Sequence, residues 1–305
     1  YKLDAALRAA HAAHPWLVTW DDHEVENDYA NDASRDPRRS AAELLALRAA
    51  AYQAYFEHMP VAPTMAPVGP AMPIHAHHRW GQLADLWTLD NRQYRSPPPC
   101  PEPGRAGGRG LIHCPTLGDP NRSMFGSAQE RWIGSELAAS ETRWRLLAQA
   151  TQIAPAGIDT PLGRSLYSDG WDGYPAARAR LLGAIAEQPQ GNVVCLGGDV
   201  HRHVAARLRA DPLDPRSAVV ASEFVTSSLT SRGLSEALTE LMLGSNPDLL
   251  HARSDERGYA LLEVTAERVS CTLRATPFPV RPDSHIGTQA VWVVESGTPG
   301  PQRDA

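Results

Sequence analysis

The apolar positions of this chain fall into short runs whose period changes repeatedly, and the changes mark its elements. Residues 4–14 carry Leu7 among many alanines, a strongly helix-forming stretch that Pro15 ends. Residues 16–20, Trp-Leu-Val-Thr-Trp, are aromatic and β-branched and predict a buried strand. Ser40 followed by Glu43 predicts a capping box at the head of a helix over 41–59. Five prolines between 60 and 73 predict loop, and residues 83–89 a strand. Proline and glycine dominate 96–121, which reads as an exposed, mobile loop. Helices are expected over 127–134, 140–150 and 174–187, the last with Leu181, Leu182 and Ile185 on one side. Residues 192–196 form a second buried strand, and 219–225, 258–264 and 269–275 alternate as further strands. No repeat and no clean break divides this α/β pattern, so one domain over 1–305 is expected.

Two of these predicted strands run directly into polar clusters. After Trp20 come Asp21, Asp22, His23 and Glu24; after Leu196 come Gly197, Gly198, Asp199, Val200, His201, Arg202 and His203. Open α/β sheets place ligands at the carboxyl ends of their strands. Carboxylates are hard oxygen ligands for Ca²⁺, Mg²⁺, Mn²⁺ or Fe³⁺, and imidazole suits transition metals. Each cluster alone has a plainer reading, a turn former or a helix cap; two of them in one chain point to a metal-dependent hydrolase. A cation there would acidify bound water and brace charge on a transferring phosphoryl group.

Composition narrows the partners. The formal net charge is −6 and no basic tract stands out, so nucleic acid has no electrostatic footing. The only lysine is Lys2 among many arginines, which reads as genomic bias. No run reaches the roughly 18 apolar residues of a membrane span. Cys195 sits in an apolar run and reads as a buried small hydrophobe, whereas Cys100 and Cys114 flank the Pro/Gly loop and are either a disulfide or two thiols. His75, His77 and His78 lie in a proline-bounded stretch that reads as solvated loop. Ser227 and Ser228 have no base at a recognisable spacing, which argues against a serine nucleophile.

The run Trp20-Asp21-Asp22-His23-Glu24-Val25-Glu26-Asn27-Asp28 resembles a signature of the PhoD-like alkaline phosphatases. Gly198-Asp199-Val200-His201-Arg202 is similar to their second signature. Segments at 89–95, 168–174, 223–228 and 257–259 match further family segments in order. The resemblance implies a metallophosphoesterase-like two-sheet sandwich flanked by helices, with N-terminal strands missing. It implies hydrolysis of phosphomonoesters and phosphodiesters at alkaline pH with Ca²⁺ and Fe³⁺. By motif position Asp22, Asp199 and His201 align with metal ligands, and His23 with the general acid; Asp21 and Asn27 align with a ligand or its support. Arg92 has two readings, a phosphate contact or a salt bridge. Asp172 and Tyr174 are candidates for the site mouth, Arg202 for phosphate and His203 for a supporting group. The family's upstream block, with its bridging aspartate, tyrosine and cysteine, has no match here. Two expectations stay open: part of an active enzyme, or an inactive remnant. The resemblance also implies a monomer exported to the periplasm, cell surface or medium.

Overall fold

The computed structural model describes residues 2–103, 107–188 and 191–304. Its helices are α1 (Ala5–Ala13), α2 (Ala41–His58), α3 (Gly126–Ala139), α4 (Pro175–Ala186) and α5 (Glu236–Gly244). The first ten strands are β1 (Ala76–Trp80), β2 (Ala84–Thr88), β3 (Gly110–Leu111), β4 (Trp144–Ala148), β5 (Ile158–Thr160), β6 (Gly163–Tyr167), β7 (Val193–Gly197), β8 (His203–Arg209), β9 (Val219–Val225) and β10 (Leu249–Arg253). Four more follow: β11 (Glu256–Val264), β12 (Arg268–Pro277), β13 (Gly287–Glu295) and β14 (Gln302–Arg303).

The larger sheet has seven strands in the order β1-β2-β4-β7-β9-β8-β10. Its middle, β2, β4, β7 and β9, is parallel, while β1, β8 and β10 pair antiparallel. Parallel strands are covered on both faces, and alternate side chains divide accordingly. Leu147, Val193 and Cys195 face a core with Ile133 and Leu137 of α3 and Leu181, Leu182 and Ile185 of α4. Trp144, Leu146, Val194 and Phe224 face the other way, against Val269, Cys271 and Leu273 of β12 and Trp292 of β13. These last belong to a four-stranded antiparallel sheet, β11-β12-β13-β14. Each such buried side chain contributes about 1.5–3 kcal/mol. The expected two-sheet sandwich flanked by helices is therefore the observed architecture, with β3, β6 and β5 forming a small third sheet. Each interior strand of the seven-stranded sheet has a partner on both sides, and β11 is an edge.

The capping box forms as read: Ser40 Oγ accepts from the Glu43 amide, and Glu43 Oε2 accepts from the Ser40 amide. Three other expectations fail. Residues 140–150 are not a helix; α3 continues to Ala139, and Trp144–Ala148 is β4. A short run buried on both faces, Arg145 included, fits the middle of a sheet, and burial overrides its helix propensity. Residues 16–20 are not a strand. They run extended beside the sheet, fixed by Thr19 Oγ1 donating to the Leu89 carbonyl and Trp20 Nε1 donating to Asp90 Oδ1. Trp20 stacks on Tyr52 in a separate small core with Tyr55, Met72 and Ile74. The histidines at 77 and 78 lie on β1 and not in a solvated loop; His77 reaches both Asp85 and Glu136. Of the loop read over 96–121, residues 104–106 lie outside the described residues; the rest includes β3 and a Cys100–Cys114 disulfide. Cys195 is buried, as read.

Candidate functional site

Strand β7 ends at Gly197 and the chain turns back into β8 within six residues. The reversal is steep: Asp199 has φ 64° and His201 φ 51°, left-handed conformations uncommon outside glycine. A Cβ on Gly197 would lie 2.4 Å from the Thr151 carbonyl oxygen, so only glycine lets the loop after β4 approach. That loop fixes Asp199, whose Oδ2 accepts from Thr151 Oγ1 at 2.8 Å. Asp199 stands exposed on this turn. The protein around it, with the charge of Asp21, pushes its carboxyl up to about 8. His201 Nδ1 lies 2.8 Å from the Arg232 carbonyl oxygen. A carbonyl only accepts, so Nδ1 carries the hydrogen and Nε2 keeps its lone pair. Arg202 is buried, donates to Gln152 Oε1 at 2.8 Å and leaves Nε without a partner. Burial pulls its guanidinium down to about 10.

The other cluster is held by different means. Residues 22–26 form a tight turn in which the Val25 and Glu26 amides donate to the Asp22 carbonyl, and the Asp28 amide donates to Asp22 Oδ2. Asp21 faces a buried guanidinium: Arg92 Nε and Nη2 donate to its two oxygens at 2.6 and 3.1 Å. The same Arg92 donates to both oxygens of Asp169, at 2.9 and 2.8 Å, and is 1% exposed. Its backbone is pinned in turn by Asp90, which accepts from the Arg92 and Gln93 amides just past β2. Burial raises the Asp21 carboxyl, opposed by Arg92. Burial also acts to raise Asp169, but Arg92 and Arg95 outweigh it and hold that carboxyl below its ordinary value. Asp28 accepts from the Gly108 amide and the Tyr167 hydroxyl and pairs with Arg35. Gly108 packs so closely that a Cβ would lie 2.5 Å from that of Asp169.

The two clusters lie within electrostatic reach, since the charges of Asp21 and Asp169 act on Asp199. In front of Asp199 lies a cleft of about 640 Å³, lined by Thr151, Gln152, Asp199, His201 and Arg202 on its polar side. Asp172 also lines it, accepting from the Ala156 amide and pairing with Arg178. His23 is exposed on the turn and Asn27 is half-buried; neither lines the cleft. Tyr174 is in the core, its hydroxyl donating to the Ser96 carbonyl. His203 is buried facing the second sheet and accepts from the Ser227 amide, which leaves Nε2 without a partner. Burial lowers its imidazole to about 4.

Sequence reasoning passed over Asp169, Arg95, Thr151 and the carbonyl of Arg232. Asp169 had a signal, since it sits in the 168–174 segment; a threonine and a carbonyl that act through contacts leave none. The donor types match a hard cation only in part. Among the described residues no three His, Cys, Asp or Glu side chains are grouped to hold a metal ion, so Asp199 and His201 offer part of a shell.

Comparison with known proteins agrees with this architecture. The profile of the PhoD-like phosphatase family matches residues 1–273. Alkaline phosphatase D of Bacillus subtilis (strain 168) is 38% identical over 311 residues, covering 98% of this chain and 51% of that protein. The solved structure titled "Structure of PhoD" superposes with a TM-score of 0.89 at 36% identity, over 99% of this chain and 57% of that one. The chain thus spans about half the length of the relatives it matches. With its fold and nearly its whole length matched, this chain belongs to the PhoD-like phosphatase family.

Proposed function

We propose that this chain hydrolyses phosphate esters, monoesters and diesters, at the cleft beside Asp199. The observation that carries the reading is Asp199 at the polar end of one cleft, with Thr151, His201 and Arg202 beside it and the charges of Asp21 and Asp169 acting on it from two other segments. Collecting like charges is costly, and that cost is expected where function demands it.

Each residue then has a task. Asp199 and His201 Nε2 would hold a cation; the family signature adds Asp21, Asp22 and Asn27 of the 21–28 turn as candidate donors and points to Ca²⁺ and Fe³⁺. When bound, such an ion supplies an acidified water and charge neutralisation at phosphorus. Thr151 aims Asp199, and the Arg232 carbonyl sets the tautomer of His201. Arg92 is a positioning residue, because its fork is spent on Asp21 and Asp169. The family signature points to His23, exposed on the turn outside the cleft lining, as the proton donor to the leaving alkoxide. Two cores share the seven-stranded sheet, which supports one catalytic unit over 1–305. The Cys100–Cys114 disulfide supports an oxidising compartment outside the cytosol. Among the described residues no helix is long and apolar enough to cross a membrane. We take the working form to be a monomer.

The test is turnover of p-nitrophenyl phosphate and bis(p-nitrophenyl) phosphate by the purified protein supplied with Ca²⁺ and Fe³⁺. Replacing His23 or Asp199 by alanine is expected to lower kcat/KM by about 10²-fold or more. Unchanged turnover in both variants would overturn the assignment.

A further inference from the structure

The cleft does not end at its polar side. From Asp199 and His201 it continues between two apolar walls. One is α5 with the turn before it: Leu238 and Met242, four residues apart, share a helix face, and Leu234 joins them from the turn. They grade from mouth to base, with Leu234 and Leu238 42% and 43% exposed and Met242 1%. The facing wall is the β5–β6 hairpin, which contributes Ile158 and Leu166.

The walls are tied together at their far end. The Asp159 amide donates to Ser245 Oγ at 3.0 Å, Asn246 Nδ2 to the Gly157 carbonyl at 2.8 Å, and Arg164 to the Ser245 carbonyl at 3.2 Å. Hairpin and helix thus form a braced slot. A cleft of about 640 Å³ has the size of a pocket for an organic ligand, so most of it lies beyond what a phosphoryl group needs. Ser165 and Tyr167 also line the hairpin wall, with the Tyr167 hydroxyl donating to Asp28. The faces of Leu238, Met242, Ile158 and Leu166, however, offer no partner to hydroxyls or base edges, and burying such groups against them would cost their hydrogen bonds to water.

We propose that this slot is a specificity subsite for phosphate esters whose alcohol portion is an alkyl chain. The phosphoryl group sits at Asp199, and the chain lies between Leu238 and the β5–β6 hairpin. The proposal rests on the phosphate-ester reading of the polar end and adds the class of substrate. Contact with aliphatic side chains strengthens binding by up to about fourfold per buried methylene. Because Leu234 and Leu238 are half-open, about twofold per methylene is expected, or on the order of tenfold from ethyl to hexyl.

The experiment measures Kd for ethylphosphonate and hexylphosphonate by titration calorimetry on the metal-supplied protein, alongside p-nitrophenyl phosphate turnover. Phosphonates keep the phosphoryl charge and are not hydrolysed, so only chain length varies. Hexylphosphonate is expected to bind about tenfold more tightly. Leu238→Ser is expected to remove most of that difference. Leu241→Ser, on the same helix, 56% exposed and outside the cleft, is expected to keep it. Equal affinities for the two phosphonates would overturn the subsite, even with full turnover. A preference lost equally in both variants would overturn it too, as unspecific adhesion to α5. A hexyl preference without any turnover would instead count against the phosphatase reading and leave the subsite standing.

Discussion

The turn after β7 and the turn at 21–28 look alike as sequence, each a run of aspartate and histidine behind an apolar stretch, yet the protein builds them by opposite means. At 197–203 the backbone does the placing. The β7 ladder delivers Gly197 against the loop after β4, and the left-handed Asp199 and His201 follow from that approach. At 21–28 no ladder exists, and the acidic groups are placed by an arginine arriving from the end of β2. A strand end is rigid because the sheet is rigid. A salt-bridged turn is only as rigid as the buried ion pair that holds it.

This contrast is broken most sharply at Arg92. Arg92→Ala strands Asp21 without its counter-charge and leaves Asp169 with Arg95 alone, and losing one partner of a buried pair costs about 3–5 kcal/mol. Chemical denaturation is expected to show that loss. Hydrogen exchange is expected to rise over 21–30 while β7 stays protected; equal loosening of both would erase the distinction.

Glu223 tests the ladder side. It lies on β9 beside β7, wholly buried, and accepts from the Ile153 and Ala154 amides at 2.6 and 2.8 Å. Burial nonetheless pushes its carboxyl up from 4.5 to about 7. A group that binds its proton more tightly when folded favours the folded state at low pH. Its ionisation therefore erodes stability as pH rises from about 4.5 to 7, by about 3 kcal/mol once complete. Glu223→Gln is expected to flatten the melting temperature over that window. The same slope in the variant would show that Glu223 is not its source.

The smallest effect is expected at the helix behind the acidic turn. Ser40→Ala removes the cap of α2, whose Tyr52 and Tyr55 pack on Trp20. It should cost about 1 kcal/mol, read by thermal melting. Combined with Arg92→Ala it should add less than its separate cost, since both act on one small core.

How much of this was legible follows from which forces leave a local mark. The strand at 192–196 was readable because burial on both faces writes an apolar run, and that at 219–225 from its alternation. The cap of α2 was readable because its partners lie three residues apart. Residues 16–20 misled because Trp20 is apolar for a different core, and sequence does not say which core a side chain enters. Trp144-Arg145-Leu146-Leu147 misled because a short apolar run suits helix or strand equally. In the site, Asp199 and His201 were named from their motif. The partnership of Arg92 with Asp169 joins positions 77 residues apart and leaves no pattern to read.

One contact reaches further than its size suggests. Gly108 presses on Asp169 from a segment that the Cys100–Cys114 bond closes into a ring. Two sulfur atoms at the molecular surface thus help to keep water from an arginine and two aspartates in the interior. A reducing medium that opened the ring would loosen Gly108 from Asp169 and, two residues on, Gly110 on the wall of the cleft itself.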